Sequence, residues 1–411
     1  MIKIAVMGYG VVGSGVVEVF YNSLAHHIQK AGHDLELKYI LDLREFPGSP
    51  YAGKFIKDFS LIENDPEIGI VVEVMGGLNP AFDYVRRCLE KKKSVVTSNK
   101  ELVACKGYTL LETARQHNVN FLFEASVGGG IPIIRPIAQC LAANNIDEIS
   151  GILNGTTNFI LTKMIREQMD FATALAMAQE LGYAERNPDA DVLGHDTCRK
   201  ICILASLAFG KHVYPDQVHT EGIDKITLTD VDYAASWGGV IKLIGRAAKK
   251  ADGRLTVTVM PELVCRDSPL AGVEDVFNAI EIKGDAIGEV MFYGRGAGKL
   301  PTASAVMADV IDCAKHTAVR KMQDWEDGVP EYVSDFLDDE RSLYLRFRTQ
   351  DRNGLLDRLN AVFGGVQPLS LKNEPADELA VITSEISRRA FFEKLAQITG
   401  ITPVSMMSVK E

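Results

Sequence analysis

Between Gly182 and Lys200 the chain crowds polar and ionisable side chains: Tyr183, Glu185, Asp189, Asp191, His195, Asp196, Arg199 and Lys200. Asp196 and Lys200 stand four residues apart, so on a helix they share a face. On an exposed helix they would be an ordinary surface ion pair contributing a few tenths of a kcal/mol. Here the same face continues through Ile203, Leu204 and Leu207, and no charge follows Lys200 before Gly210, a pattern that predicts burial on most sides. Charges at the inner end of a buried helix are costly unless paired or functional. An active-site role is therefore expected of the pair. His195 projects about 100° away from Asp196 and reads as structural. A second lysine, Lys100, follows Thr97-Ser98-Asn99 at the end of an apolar run. In open α/β sheets ligands bind at that edge, so two lysines facing one cleft would suit an anionic substrate and a developing alkoxide; the plainer reading is a solvated loop lysine.

A third signal is Gly8-Tyr9-Gly10-Val11-Val12-Gly13, a GxGxxG between an apolar N-terminal strand and a helical pattern. Glycine is needed there for a tight turn, for close approach of backbone to a pyrophosphate and for helix–strand packing, while the helix N-terminus offers free N–H groups. An acid at the end of the second strand favours the ribose hydroxyls of NAD, and an arginine favours the 2′-phosphate of NADP. Asp42 and Arg44 both occur, which leaves the cofactor open between NAD and NADP.

The elements that must hold these groups are legible in outline. Strands at 2–7, 35–42, 70–75, 94–98 and 120–125 alternate with helical patterns at 11–31, 80–92 and 101–117, which predicts a Rossmann-type doubly wound parallel sheet over residues 1–125. After Gly128-Gly129-Gly130 the pattern changes to an α+β second domain, 126–300, with strands at 149–153, 255–264 and 276–293 and several helices between Gly155 and Phe209. A helical pattern near 302–315 is expected to return to the first domain, the returning stretch being 301–330. Residues 321–340 read as a linker or connecting turn. Beyond it 341–411 follow a βαββαβ order, a separate ferredoxin-like unit.

Bulk properties narrow the partners. The 411 residues are 46% hydrophobic and 24% charged with a net charge of -11, ordinary for a multidomain globular protein. The acidic balance argues against nucleic acid and anionic membranes, and the longest strongly apolar stretch, 201–210, is about half of a bilayer span. A strand starting at Ile2 leaves no secretory pattern, so a cytoplasmic protein is expected. Seven scattered cysteines form neither a disulfide framework nor a CxxC pair.

Several separated motifs together resemble the homoserine dehydrogenase family over roughly residues 1–330: GYGVVG (8–13), TSNK (97–100), EASVGGGIPII (124–134), GILNGTTNFI (151–160), GYAE (182–185) with DADVLGHDTCRK (189–200), and GRGAGKLPTASAV (294–306). The resemblance implies reversible hydride transfer between NAD(P) and the C4 alcohol of L-homoserine, giving L-aspartate 4-semialdehyde on the route to threonine, methionine and isoleucine. It makes Lys200 the proton donor and acceptor, with Asp196 and Lys100 beside it; that role needs the lysine brought down from its usual value of ~10.4, which a second positive charge or burial would do and Asp196 would oppose. It gives Glu185 to the substrate ammonium with Asp191 nearby, and Thr156 and Tyr183 to the lining. It sets Gly182, Gly296 and Gly298 near the nicotinamide and ribose. It assigns Glu124 and the carbonyls at Val127, Gly129 and Ile131 to a monovalent cation, sodium, although the same turn could serve as a hinge between domains.

Asp351-Arg352-Asn353-Gly354-Leu355-Leu356 resembles the DxxGxL start of an ACT domain, which implies an amino-acid effector, threonine; 364–368 departs from the effector loop. Dimers through the second domain, or tetramers through the ACT-like one, are expected. Two other readings remain: a nucleotide- and amino-acid-sensing protein without turnover, and a dehydrogenase of a related amino or hydroxy acid.

Overall fold

The computed structural model describes residues 1–321, 323–372, 377–398 and 400–411. Its first sheet has six parallel strands in the order Phe55–Ile56, Leu35–Leu41, Ile2–Met7, Ile68–Glu73, Ser94–Thr97, Phe121–Leu122. The order reverses between Ile2–Met7 and Ile68–Glu73, which opens a crevice at the carboxyl ends of those strands, where such sheets bind ligands. Phe55–Ile56 and the helical turn Ser60–Glu63 are too short to show a period and were not foreseen.

Two expectations there need correction. The single helix over 11–31 is two, Val11–Asn22 and Leu24–Ala31, broken at Asn22-Ser23, residue types that disfavour a helix interior. The strand over 120–125 shrinks to Phe121–Leu122, because Glu124–Ser126 turns into a short 3-10 helix. Helix Lys299–Lys315 packs on Val11–Asn22: Ala303, Val306, Met307 and Val310 share one buried cluster with Val16, Val17 and Phe20. At Gly15 a Cβ would lie 2.8 Å from the Lys299 carbonyl oxygen, so glycine permits the contact.

The second sheet runs Gly288–Arg295, Phe277–Gly284, Ile146–Ile152, Gly239–Lys249, Leu255–Cys265, Ser405–Lys410, Leu343–Arg348, Glu378–Thr383, Val366–Leu369. The strand expected over 276–293 is a hairpin turning at 285–287. Gly239–Lys249 escaped notice because it is buried on both faces, which removes the alternation that marks a half-exposed strand.

The C-terminal segment has the predicted βαββαβ order. In the sheet its strands run fourth, first, third, second, under helices Arg352–Phe363 and Arg388–Leu395. Its sheet does not stand alone, however. Ser405–Lys410 pairs in parallel with Leu255–Cys265, Glu262 facing Ser408, so one sheet crosses the whole of this region. Ion pairs reinforce the seam, Arg346 to Asp230 at 2.9 Å and Arg341 to Glu262 at 3.1 Å. Nor is 321–340 a bare linker: Trp325 is buried and its Nε1 donates to His212 Nδ1 at 2.8 Å.

Candidate active site

Helix His195–Phe209 starts at Gly194, whose φ of +84° and tight approach to Thr220 and Val259 suit glycine. Its inner face carries Asp196 and Lys200, only 5% and 6% exposed. Lys100 enters from the first residue of helix Lys100–His117, which Asn99 caps by accepting from the Leu102 amide. One Asp196 oxygen meets Lys100 Nζ at 2.6 Å, and the other meets Lys200 Nζ at 2.8 Å. Lys200 also donates to the Leu153 carbonyl at 2.6 Å. The sequence brought three charges to one place, and they form a chain, Lys100–Asp196–Lys200.

The electrostatics resolve the balance between burial and Asp196. Burial lowers Lys200 from its ordinary value and the charge of Lys100 adds to this, outweighing the pull of Asp196. Lys100 moves the other way, raised chiefly by Asp196, and stays charged; its side chain is 41% exposed. Burial alone would raise Asp196, but the two ammonium groups hold it well below the usual carboxylate range. The result is an ionised pair, Lys100 and Asp196, beside a lysine that yields its proton more readily than most.

Asn154, which sequence reading passed over, completes the cluster. It follows strand Ile146–Ile152, caps helix Gly155–Glu167, and donates to Asp191 at 2.7 Å and Asp196 at 2.9 Å. Asp191 is thereby joined to the site; burial raises it and the Asn154 amide opposes. Glu73 is a second omission. Fully buried at the end of strand Ile68–Glu73, it accepts from Thr97 Oγ1 at 2.6 Å and from the Met75 amide at 2.8 Å, so it ties the crevice loop to the strand that leads to Lys100. Neither residue carries a local signal, since each matters only through partners distant in sequence. Thr156 Oγ1 donates to the Tyr183 carbonyl at 2.6 Å and Tyr183 stands edge-on to Phe159, while Glu185 is exposed on the following turn. His195 points outward, away from the cluster.

The glycine turn lines a cavity of about 400 Å³ together with Asp42, Arg44, Lys57, Met75 and Tyr84. Gly8 has φ +98°, and at Gly13 a Cβ would lie 2.0 Å from the Gly8 carbonyl oxygen, so both positions demand glycine; Gly10 precedes the helix whose first residues are Val11 and Val12. Asp42 accepts from the Tyr9 amide at 2.8 Å and from Arg44 Nε and Nη2 at 3.0 and 2.8 Å. Arg44 holds that carboxyl well below its usual range. Lys57, on the short third strand's exit, was not foreseen.

Gly182, Gly296 and Gly298 do not line this cavity, which lies on the Asp42 and Arg44 side of the crevice. Gly182 makes a turn with φ +75°, Gly298 stands before helix Lys299–Lys315, and Gly296 is packed so closely that a Cβ would clash with Asn278 and its carbonyl fits against Gly129. The Glu124 carboxylate accepts from the amides of Ile133, Ile134 and Arg135 at 2.6, 2.8 and 2.9 Å, which ties it to the turn that follows Gly128-Gly129-Gly130. Among the described residues no group of three or more His, Cys, Asp or Glu could hold a metal ion.

Residues 8–124 match the family model described as homoserine dehydrogenase, NAD binding domain, and residues 132–311 match that of homoserine dehydrogenase. A homoserine dehydrogenase of Synechocystis is 40% identical, the alignment covering 98% of each chain. Among solved structures, a homoserine dehydrogenase from Thiobacillus denitrificans superposes with a TM-score of 0.91 at 32% identity over 100% of this chain and 98% of that one. A hyperthermophilic archaeal homoserine dehydrogenase mutant in complex with NADPH matches 76% of this chain and 97% of its own, with a TM-score of 0.63 at 27% identity. A glycine turn at the switch crevice of a Rossmann-type sheet, with an acid–base cluster at the same sheet edge, defines an NAD(P)-dependent oxidoreductase. The chain belongs to the homoserine dehydrogenase family, which interconverts L-homoserine and L-aspartate 4-semialdehyde.

Proposed function

We propose that Lys200 exchanges the proton of the reacting oxygen. In the oxidative direction its neutral amine accepts the proton of the homoserine C4 hydroxyl; in the reductive direction its ammonium returns it. The observation that carries this reading is the Lys100–Asp196–Lys200 chain, in which Asp196 and Lys200 are buried and Lys200 alone of the two lysines is lowered. Lys100, held positive by Asp196, offsets charge that develops on the oxygen. The bound dinucleotide supplies the hydride acceptor. Glu185 and Asp191 suit the substrate ammonium, with Thr156 and Tyr183 lining its side.

Two cations, Arg44 and Lys57, border the dinucleotide cavity, and Arg44 already pairs with the Asp42 carboxylate there, which favours NADP over NAD. Threonine at the C-terminal segment and a homodimer or homotetramer are further proposals, supported by the βαββαβ topology and by the exposed Met291 and Tyr293 on the outermost strand Gly288–Arg295; calorimetric titration and light scattering test them.

The decisive assay follows absorbance of the reduced nicotinamide with L-homoserine and NADP or NAD. Lys200→Ala is expected to lower kcat by at least about a hundredfold with nucleotide binding intact and NADP the preferred acceptor. Near-normal turnover in the variant would overturn the assignment.

A further inference from the structure

Asn154 is 5% exposed, and all its polar capacity is committed. Its Oδ1 accepts from the Thr157 amide at 2.8 Å, and the Thr157 hydroxyl lies 3.1 Å from both this oxygen and the Asn154 carbonyl. A backbone N–H can only donate, so this cap fixes which end of the carboxamide is oxygen. The NH2 end is therefore aimed at the cluster, where its two hydrogens go to Asp191 Oδ1 and Asp196 Oδ2.

Lys200 is held by the same strand end. An ammonium has three N–H groups, and two of them meet the Leu153 carbonyl and Asp196 Oδ2. A neutral amine keeps two N–H groups and gains a lone pair. With those two acceptors fixed, both N–H groups stay engaged and the lone pair takes the third tetrahedral direction. Losing the proton at that position breaks neither hydrogen bond. Leu153 holds the lysine and Asn154 holds its carboxylate, so adjacent residues at the end of one strand set the whole arrangement.

We infer that Asn154 is a positioning residue of the reaction, whose carboxamide anchors Asp196 so that Lys200 offers only its third position to the substrate hydroxyl. The inference rests on the assignment of Lys200 above. Its hydrogen bond also draws on the carboxylate oxygen that pairs with Lys200, so Asp196 grips the lysine proton less firmly. The charges that face Lys200 are Asp196 on its own helix, Lys100 from helix Lys100–His117 and Asp191 from the turn Asp189–Val192. Arg199 acts on Lys100 and is itself paired with Glu101.

Asn154→Ser separates the two roles of the side chain. Serine is as good a helix cap, but its hydroxyl cannot bridge two carboxylates while serving it. With Asp196 released towards the lysines, the limb of the pH profile of kcat/KM for homoserine oxidation on which activity rises with pH should move up by about one pH unit. Activity should fall about tenfold on that limb and approach wild type at high pH, with the melting temperature little changed. Asn154→Asp puts a third carboxylate in the cluster and should move the limb further. Activity lowered equally at every pH, with the limb unmoved in both variants, would overturn the inference and leave a merely structural residue. Lys200→Ala in the same buffers separates the two ideas: an inactive Lys200→Ala beside an unmoved Asn154→Ser limb sinks only the role of Asn154, whereas near-normal turnover in Lys200→Ala sinks both.

Discussion

At the scale of single residues, what could be read ahead was what the helix itself displays. Asp196 and Lys200 announced a shared face by their spacing, and the run free of charge behind them announced burial. Asn154, Glu73 and Lys57 could not be found that way, because their meaning comes from groups that other segments bring to them. Lys242 shows a similar dependence outside the site. It sits on strand Gly239–Lys249, 1% exposed, and donates to Val273 O at 2.5 Å and Asn158 Oδ1 at 3.1 Å. Burial lowers it to about 8 from 10.5. The unfolded chain therefore binds more protons than the folded one as pH rises from about 8 to 10.5, and stability should increase with pH across that window. The gain attributable to this side chain is about 3 kcal/mol. Denaturant titrations of wild type and Lys242→Met at the two ends of the window should show that rise in wild type only; equal slopes would exclude it.

At the scale of elements, every parallel strand of the first sheet except Phe55–Ile56 was legible, because each is a compact apolar run set off by glycine or polar turns. The breaks were not. Asn22-Ser23 interrupts an amphipathic pattern without disturbing its period, and the strand Gly239–Lys249 hides because both its faces are covered. The glycine turn illustrates how an element can be right in sequence and still need three dimensions to explain. Gly13 lies where a methyl group would enter the Gly8 carbonyl, so Gly13→Ala must push the start of helix Val11–Asn22 away from strand Ile2–Met7. We expect nucleotide affinity to fall on the order of tenfold or more, about 1.4 kcal/mol, in a fluorescence titration with the reduced dinucleotide. Unchanged affinity would mean that the turn does not form the binding surface.

At the scale of the molecule, the sequence divided the chain into three units more cleanly than the fold does. The C-terminal segment obeys its own hydrophobic pattern and builds its own core, yet its strand Ser405–Lys410 fills the flank of Leu255–Cys265. That lateral pairing leaves no trace in the periodicity of either strand. Deleting residues 341–411 would bare the main chain of Leu255–Cys265 beside buried Met260 and Leu263, an unprotected edge prone to association. Such a fragment should elute from a sizing column as polydisperse aggregate and melt earlier than the full chain; a monodisperse, equally stable fragment would refute this. The helix Lys299–Lys315 carries a consequence of another kind. Its Ala303, Val306 and Val310 finish a layer begun by Val16, Val17 and Phe20, although the whole of the middle region lies between them in sequence. During synthesis the nucleotide-binding layer thus waits, apolar flank open, until the ribosome has released some three hundred residues, and it is in that interval that the nascent chain has most need of a chaperone.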